Sequence, residues 1–303
     1  MANAFITPTV VAKNALATLY NSTVFLPLVW RDFDPEFTGA KVGDAVTIRK
    51  PATLSVSEFS TSISVQNATE SSTTVTLDKF PDVSFQVTAK DKTLELEDFS
   101  KQLIQPAAEA LSQYVDADIA ENLVDAAEGG GGGGTVTWSN STPSTVFTGE
   151  GGAVSKLGRA NLPDSDRYAV FSPEGTGKCL AESLFVEADK SGSTDALRNA
   201  SIGRVFGFET YSTSQLGSTN DDHGQSDGVA FHRQACAIVT RALELPAVGS
   251  ANAAVESYKG LTLRVVTQYD ISTKADITSL DLLYGIDALR PAGAIQLSLG
   301  IGS

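Results

Sequence analysis

The chain has 303 residues, 42% of them apolar and 19% charged, with a formal net charge of −14. A chain of this size buries enough surface to fold without a disulfide or metal. No run of about 18 apolar residues is present to cross a membrane, and the acidic balance argues against a protein that grips nucleic acid along a basic stripe. Two cysteines, Cys179 and Cys236, fit a reducing compartment. With only two histidines and one methionine besides, catalytic chemistry is short of raw material. The N-terminus lacks the basic start and apolar stretch of a signal peptide.

Residues 9–20 predict a short helix with Val11, Ala15 and Leu19 on one face, closed off before Pro27. From Gly39 the pattern changes to alternation: Val46 and Ile48, then Leu54 and Val56, Ile63 and Val65, Val75 and Leu77. Between Pro51 and Lys79, 13 of 29 residues are Ser or Thr, which predicts an extended, twisted β-hairpin with its tip near 67–71. Two strands alone are marginal in water, so this hairpin must lean on something outside itself. Val83-Ser84-Phe85-Gln86-Val87-Thr88 reads as a strong half-buried strand.

The best helix candidate covers 95–128. Glu95, Glu97 and Asp98 suit its first turn, and Phe99, Leu103, Ala107, Ala110, Leu111, Tyr114, Ala117, Leu123 and Ala127 recur at spacings of three and four. Lys101, Gln105, Glu109, Gln113, Asp116 and Glu121 fall on the opposite face. Pro106 kinks this helix or restarts it. Six glycines, Gly129 to Gly134, then stop it. A phosphate-binding loop needs a strand before it and a helix after it, and the order here is reversed, so the run reads as a loop or linker too flexible for a structure of its own.

Beyond Leu162, short strands and helices alternate: a strand at Tyr168–Phe171, a helix over about 174–187, a turn through Ile202-Gly203-Arg204, and a strand through Tyr211. Residues 217–228 form a polar loop, Ala230 to Leu243 resume apolar structure, and alternation returns at Leu261, Leu263 and Val265 and at Ile295, Leu297, Leu299 and Ile301. No sequence period marks a repeat.

Candidate chemistry is thin. Gly175-Thr176-Gly177-Lys178 departs from a P-loop, having Ser172 where the first glycine belongs and Cys179 after the lysine. Asp221-Asp222-His223 has too few ligands for calcium or zinc and reads as a solvated loop. His232 and Cys236 would share a face if helical, but a packed cysteine and a hydrogen-bonded histidine are the simpler reading. No G-x-S-x-G serine-hydrolase signature occurs. The expectation is no catalytic residue, no metal and no cofactor.

The order of these segments resembles the tailed-bacteriophage major capsid (coat) proteins of the HK97-like fold, in wording the podovirus coat-protein branch. The matching stretches are Asn21-Ser22-Thr23-Val24-Phe25, Gly43-Asp44-Ala45-Val46-Thr47-Ile48, the run from Asp98 to Pro106, Ile202-Gly203-Arg204 with Gly207-Phe208, Ala230 to Ala235, and Leu283-Tyr284-Gly285-Ile286. The resemblance implies an α+β subunit with an N-terminal arm over 1–38, an extended β-hairpin loop (E-loop) over 39–92, and a peripheral domain over 93–161 holding the spine helix. An axial domain over 162–257 and C-terminal strands over 258–303, returning to the peripheral domain, complete it. It implies a homo-oligomer of hexamers and pentamers that forms an icosahedral virion shell around packaged DNA, enclosed without sequence-specific binding. A separate scaffolding protein, a portal protein at one vertex, no membrane partner, and assembly in the host bacterial cytoplasm go with it. The stretch 162–258 is too short for the β-barrel inserted in some coat proteins of that branch. Phe59, Ile63, Val65 and Val75 are the expected contacts of the hairpin with a neighbouring subunit. The hairpin has no lysine between Pro51 and Asp78, so a non-covalent contact is expected. The alternatives are an acidic β-rich virion decoration or surface protein, and an enzyme with an unrecognised site.

Overall fold

The structure, a computed structural model, describes residues 8–31, 45–50, 56, 58–59, 65, 71–88, 100–138, 142–149, 151–186, 202–216, 226–247, 252–258 and 261–299. Helix α1 (Pro8–Ser22) packs Val11, Ala12, Ala15, Leu16 and Leu19 into the main core, which extends the face expected from the sequence. It lies against α2 (Gln105–Glu128) and one face of a four-stranded antiparallel sheet. That sheet has the order β10-β11-β12-β3, built from Asn252–Tyr258, Leu261–Asp270, Ala275–Asp281 and Asp82–Thr88.

The α-helical part of the stretch predicted over 95–128 is α2, from Gln105 to Glu128. A π-helical turn over Ser100–Ile104 leads into the α-helix at Gln105, and 95–99 lie outside the described residues. Pro106 sits in the first turn, where its missing N–H is one that a helix leaves unpaired anyway, so it starts the helix rather than kinking it. The 24 residues reach about 36 Å. The buried stripe runs through Ala107-Ala108, Leu111-Ser112, Val115-Asp116, Ile119-Ala120, Leu123-Val124 and Ala126-Ala127. Ala110 and Tyr114, expected on this stripe, face out, and Leu103 is only half-buried.

Asp116, expected on the solvated face, is 3% exposed. Its carboxylate accepts the backbone N–H groups of Val24 (2.5 Å) and Phe25 (3.2 Å), where the chain turns after α1. These donors open the turn closed by Leu28 N–H and Val29 N–H on the Phe25 carbonyl, so Asp116 acts as an N-cap supplied from another helix. Burial raises its pKa from 3.8 to about 6, against the opposing pull of the Val24, Phe25 and Leu26 N–H groups. A carboxyl whose folded pKa lies above its unfolded value stabilises fully below the unfolded pKa, and that contribution is lost as pH rises through the folded one. Asp116 is therefore expected to cost the subunit about 2 kcal/mol between pH 4 and pH 7. Thermal or urea unfolding of wild type and Asp116→Asn across that range checks this: the wild type should lose stability relative to the variant as pH rises, and parallel profiles would refute it.

The glycine run is a packed corner. Gly134 N–H bonds the Ala127 carbonyl and Gly133 N–H the Ala294 carbonyl, while Lys156 Nζ donates to the Gly133 carbonyl at 2.7 Å. A Cβ on Gly132 would sit 2.2 Å from the Ala126 oxygen, and one on Gly133 would sit 2.5 Å from the Ala294 oxygen. Gly131 and Gly134 adopt φ of 106° and 73°, which side chains disfavour. Only glycines turn the chain this tightly from α2 into β4 (Thr135–Trp138).

β4 is the edge of a six-stranded mixed sheet. Its order is β4-β14-β8-β5-β7-β6, with β14 Ala294–Leu299, β8 Ser226–His232, β5 Arg167–Phe171, β7 Phe208–Ser212 and β6 Arg204–Val205. Val170, Val229, Phe231 and Ala294 join the main core with α2. Ala169, Phe171, Ala230, Ile295 and Leu297 point to the opposite face, into a second core with Val146 and Phe147 of α3 (Thr145–Thr148) and Leu157 of α4 (Ala153–Arg159). The predicted helix over 174–187 is two pieces, α5 (Pro173–Ala181) and α6 (Ser183–Val186), with Phe185 in that same core.

Strand pairing crosses the boundaries drawn from the sequence. β3, placed with the hairpin region, pairs β12 near the C-terminus. β14, placed with strands returning to the peripheral domain, joins the sheet of the 162–257 stretch. β9 (Cys236–Arg241), from that same stretch, pairs β13 (Leu283–Ala288).

Candidate subunit interface

The hairpin consists of β1 (Ala45–Lys50) and β2 (Ser71–Thr76), antiparallel with Val46 opposite Val75 and Lys50 opposite Ser71. Alternation gives it two faces. Val46, Ile48, Val75 and Leu77 point inward and pack with Ala237, Val239 and Leu289, flanked by Trp30 and Leu283. Ala45, Thr47, Ser72 and Thr74 face solvent. The base of the hairpin is thus held by the body of the same subunit, which supplies the support that two strands lack.

The four expected interface residues separate accordingly. Val75 is fully buried within its own chain, in the cluster that includes Ala237, Val239 and Leu289. Phe59 is 72% exposed and Val65 is 83% exposed. Ile63 lies outside the described residues. Val56, fully exposed beyond the end of β1, belongs with Phe59 and Val65, and its alternation with Leu54 was the signal for it. The sequence carried no signal for Ile271, 80% exposed in the β11–β12 turn. Val56, Phe59 and Val65 are thus three large apolar side chains left exposed in the stretch between β1 and β2.

No family model and no curated protein matches the sequence. Solved structures do. A structure from Mycobacterium phage Che8 superposes with a TM-score of 0.67 at 24% identity, covering 91% of this chain and 90% of that one. The capsid of Cyanophage P-SCSP1u gives 0.63 at 15% identity over 87% and 85% of the two chains. The mature capsid of bacteriophage PhiM1 gives 0.61 at 12% identity over 86% and 83%.

The fold is that of phage capsid subunits.

Within this capsid fold the residues that look chemical are structural. Gly175 and Lys178 lie inside α5, whose N-cap Ser172 accepts the Gly175 N–H at 3.0 Å, so the chain passes from β5 into the helix with no phosphate-sized loop between. His232 ends β8 and Cys236 begins β9, so they do not share a helix face. His232 is buried, and its Nδ1 accepts the Gln234 N–H at 3.1 Å. Cys236 Sγ sits 3.2 Å from the Asn122 oxygen, and burial drives its pKa far up. Burial, with Glu182 nearby, pushes the Cys179 thiol up to about 12. Neither thiol is a nucleophile at neutral pH. Among the described residues no group of three or more His, Cys, Asp or Glu is placed to hold a metal, and no helix is long and apolar enough to cross a membrane. Asp221-Asp222-His223 lies outside the described residues.

Proposed function

We propose that this chain is the major capsid protein of a tailed phage, self-assembling into hexamers and pentamers of an icosahedral shell around packaged DNA. The observation that carries this reading is coverage. The fold shared with the cyanophage capsid covers 87% of this chain and 85% of that one, and the fold shared with the PhiM1 capsid covers 86% and 83%. In this reading α2 is the spine helix of the peripheral domain, the six-stranded sheet with α3–α6 forms the axial domain, and β1–β2 is the root of the E-loop. The loop's exposed Val56, Phe59 and Val65 are covered by a second copy of the chain. A net charge of −14 suits a shell that contains DNA without gripping it. A separate scaffolding protein and a portal at one vertex complete the assembly, which takes place in the host bacterial cytoplasm and ends in the virion. No observation favours a decoration protein.

Electron microscopy of the purified full-length chain is the test, with closed shells, tubes or capsomers expected. Because Lys50 and Ser71 are paired, residues 51–70 can be replaced by Asn-Gly, which closes a two-residue hairpin at that pair. This variant keeps the buried face of Val46, Ile48 and Val75, so its unfolding free energy should stay within about 1 kcal/mol of wild type. It should form no shells. Normal shells from it would remove the hairpin from the interface.

A further inference from the structure

The chain that follows the hairpin meets the body at Lys79, where backbone hydrogen bonds and one carboxylate converge. Lys79 and Tyr284 exchange backbone hydrogen bonds, 3.1 Å from Lys79 N–H to the Tyr284 carbonyl and 3.0 Å in return. The Tyr284 ring is fully buried, and its hydroxyl donates to Asp118 on α2. The other carboxylate oxygen of Asp118 lies 3.8 Å from Lys79 Nζ. Asp118 therefore joins three elements that are distant in sequence: the strand exit at Lys79, α2 and β13. Burial, reinforced by the hydrogen bond to Asp118, holds the Tyr284 hydroxyl far above its ordinary pKa, so it remains a donor. Beside it Gly285 admits the backbone of β2, and a Cβ there would meet the Thr76 carbonyl oxygen at 2.1 Å.

None of these groups is needed for the hairpin to pair with itself; the register from Ala45↔Thr76 to Lys50↔Ser71 does that. They lie where the pair joins the body, beside the inward face of Val46, Ile48, Val75 and Leu77. Six residues of strand span about 20 Å, so a rotation of about 10° at the root carries Lys50 and Ser71 about 3.5 Å sideways. An apolar contact is lost well within that distance.

We propose that Tyr284, Asp118 and Lys79, with the gap left by Gly285, form a root clamp that sets the direction in which the β1–β2 pair leaves the body of the subunit toward a second copy of the chain. The clause about a second copy rests on the shell reading above; the clamp does not. Tyr284 and Asp118 are positioning residues that act on the far end of the pair, at Lys50 and Ser71, only through the root. Position 285 tolerates no side chain, because Thr76 must pass against its backbone.

Hydrogen exchange of the purified full-length chain, unassembled and followed by mass spectrometry, tests the clamp. Tyr284→Phe removes one oxygen and keeps the ring. Amide exchange in 45–50 and 71–77 should rise about tenfold while 119–127 in α2 keeps its wild-type rate. Asp118→Ala, which removes both acceptor oxygens and favours helix, should produce the same local change, and it carries the test if Tyr284→Phe does not fold. A uniform acceleration across the chain, or an unchanged hairpin, would overturn the clamp, since a merely packed tyrosine loosens everything together or nothing at the root. Microscopy of the same preparations separates the two readings. Wild-type protein with a protected root that never forms shells keeps the clamp and removes the shell. Variants with a loosened root should give malformed or no particles.

Discussion

Gly132→Ala is expected to destabilise the subunit by about 3 kcal/mol or more, although it adds one methyl group to a run of six glycines. The new Cβ would lie 2.2 Å from the Ala126 carbonyl oxygen and 2.3 Å from the Ala127 oxygen, both in the backbone of the last turn of α2. Backbone cannot swing aside as the end of a side chain can, so either the helix end unwinds or β4 moves off β14. Both cost buried structure, because Ala126 and Ala127 are core residues and Ala127 also accepts the Gly134 N–H. Gly130 supplies the control. Nothing lies within 4 Å of a Cβ there and its φ is ordinary, so Gly130→Ala should change stability by no more than about 0.5 kcal/mol. Urea unfolding of the two variants decides the matter. Equal, small effects would mean that the run is a slack linker.

Leu111→Ala should cost about 2–5 kcal/mol. Leu111 is 1% exposed in the second turn of α2, in the core that joins α1, the four-stranded sheet and one face of the six-stranded sheet. Its removal leaves a cavity that three packed layers cannot close together, which places it toward the upper part of that range. Leu103→Ala, on the half-buried π-helical turn, should cost about 1 kcal/mol. Thermal unfolding of the unassembled subunit measures both, and a change below about 0.5 kcal/mol for Leu111→Ala would show that α2 does not hold the core together.

Much of the local structure was legible because its causes are local. The alternation of Val46 and Ile48, and of Val75 and Leu77, marks a hairpin wherever its partner lies. The end of α2 is written in Gly129, and the stripe through Ala107, Leu111, Leu123 and Ala127 marks an amphipathic helix before any neighbour is known. Phe59 and Val65 stand out as apolar residues in a Ser/Thr-rich stretch, and both are exposed.

Only the tertiary structure decided which face meets which. Val75 and Val65 look alike in an alternating pattern, yet one is buried in the cluster with Ala237 and Val239, brought in from β9, and the other stands in solvent. Asp116 looks like a surface acid until the turn after α1, about 90 residues earlier, brings it two backbone donors. The glycine run looks slack until β14 arrives from the other end of the chain and Gly133 bonds the Ala294 carbonyl. In each case the deciding partner is distant in sequence. Periodicity and propensity describe what one segment prefers, whereas burial and strand pairing depend on segments that the chain brings together only when it folds.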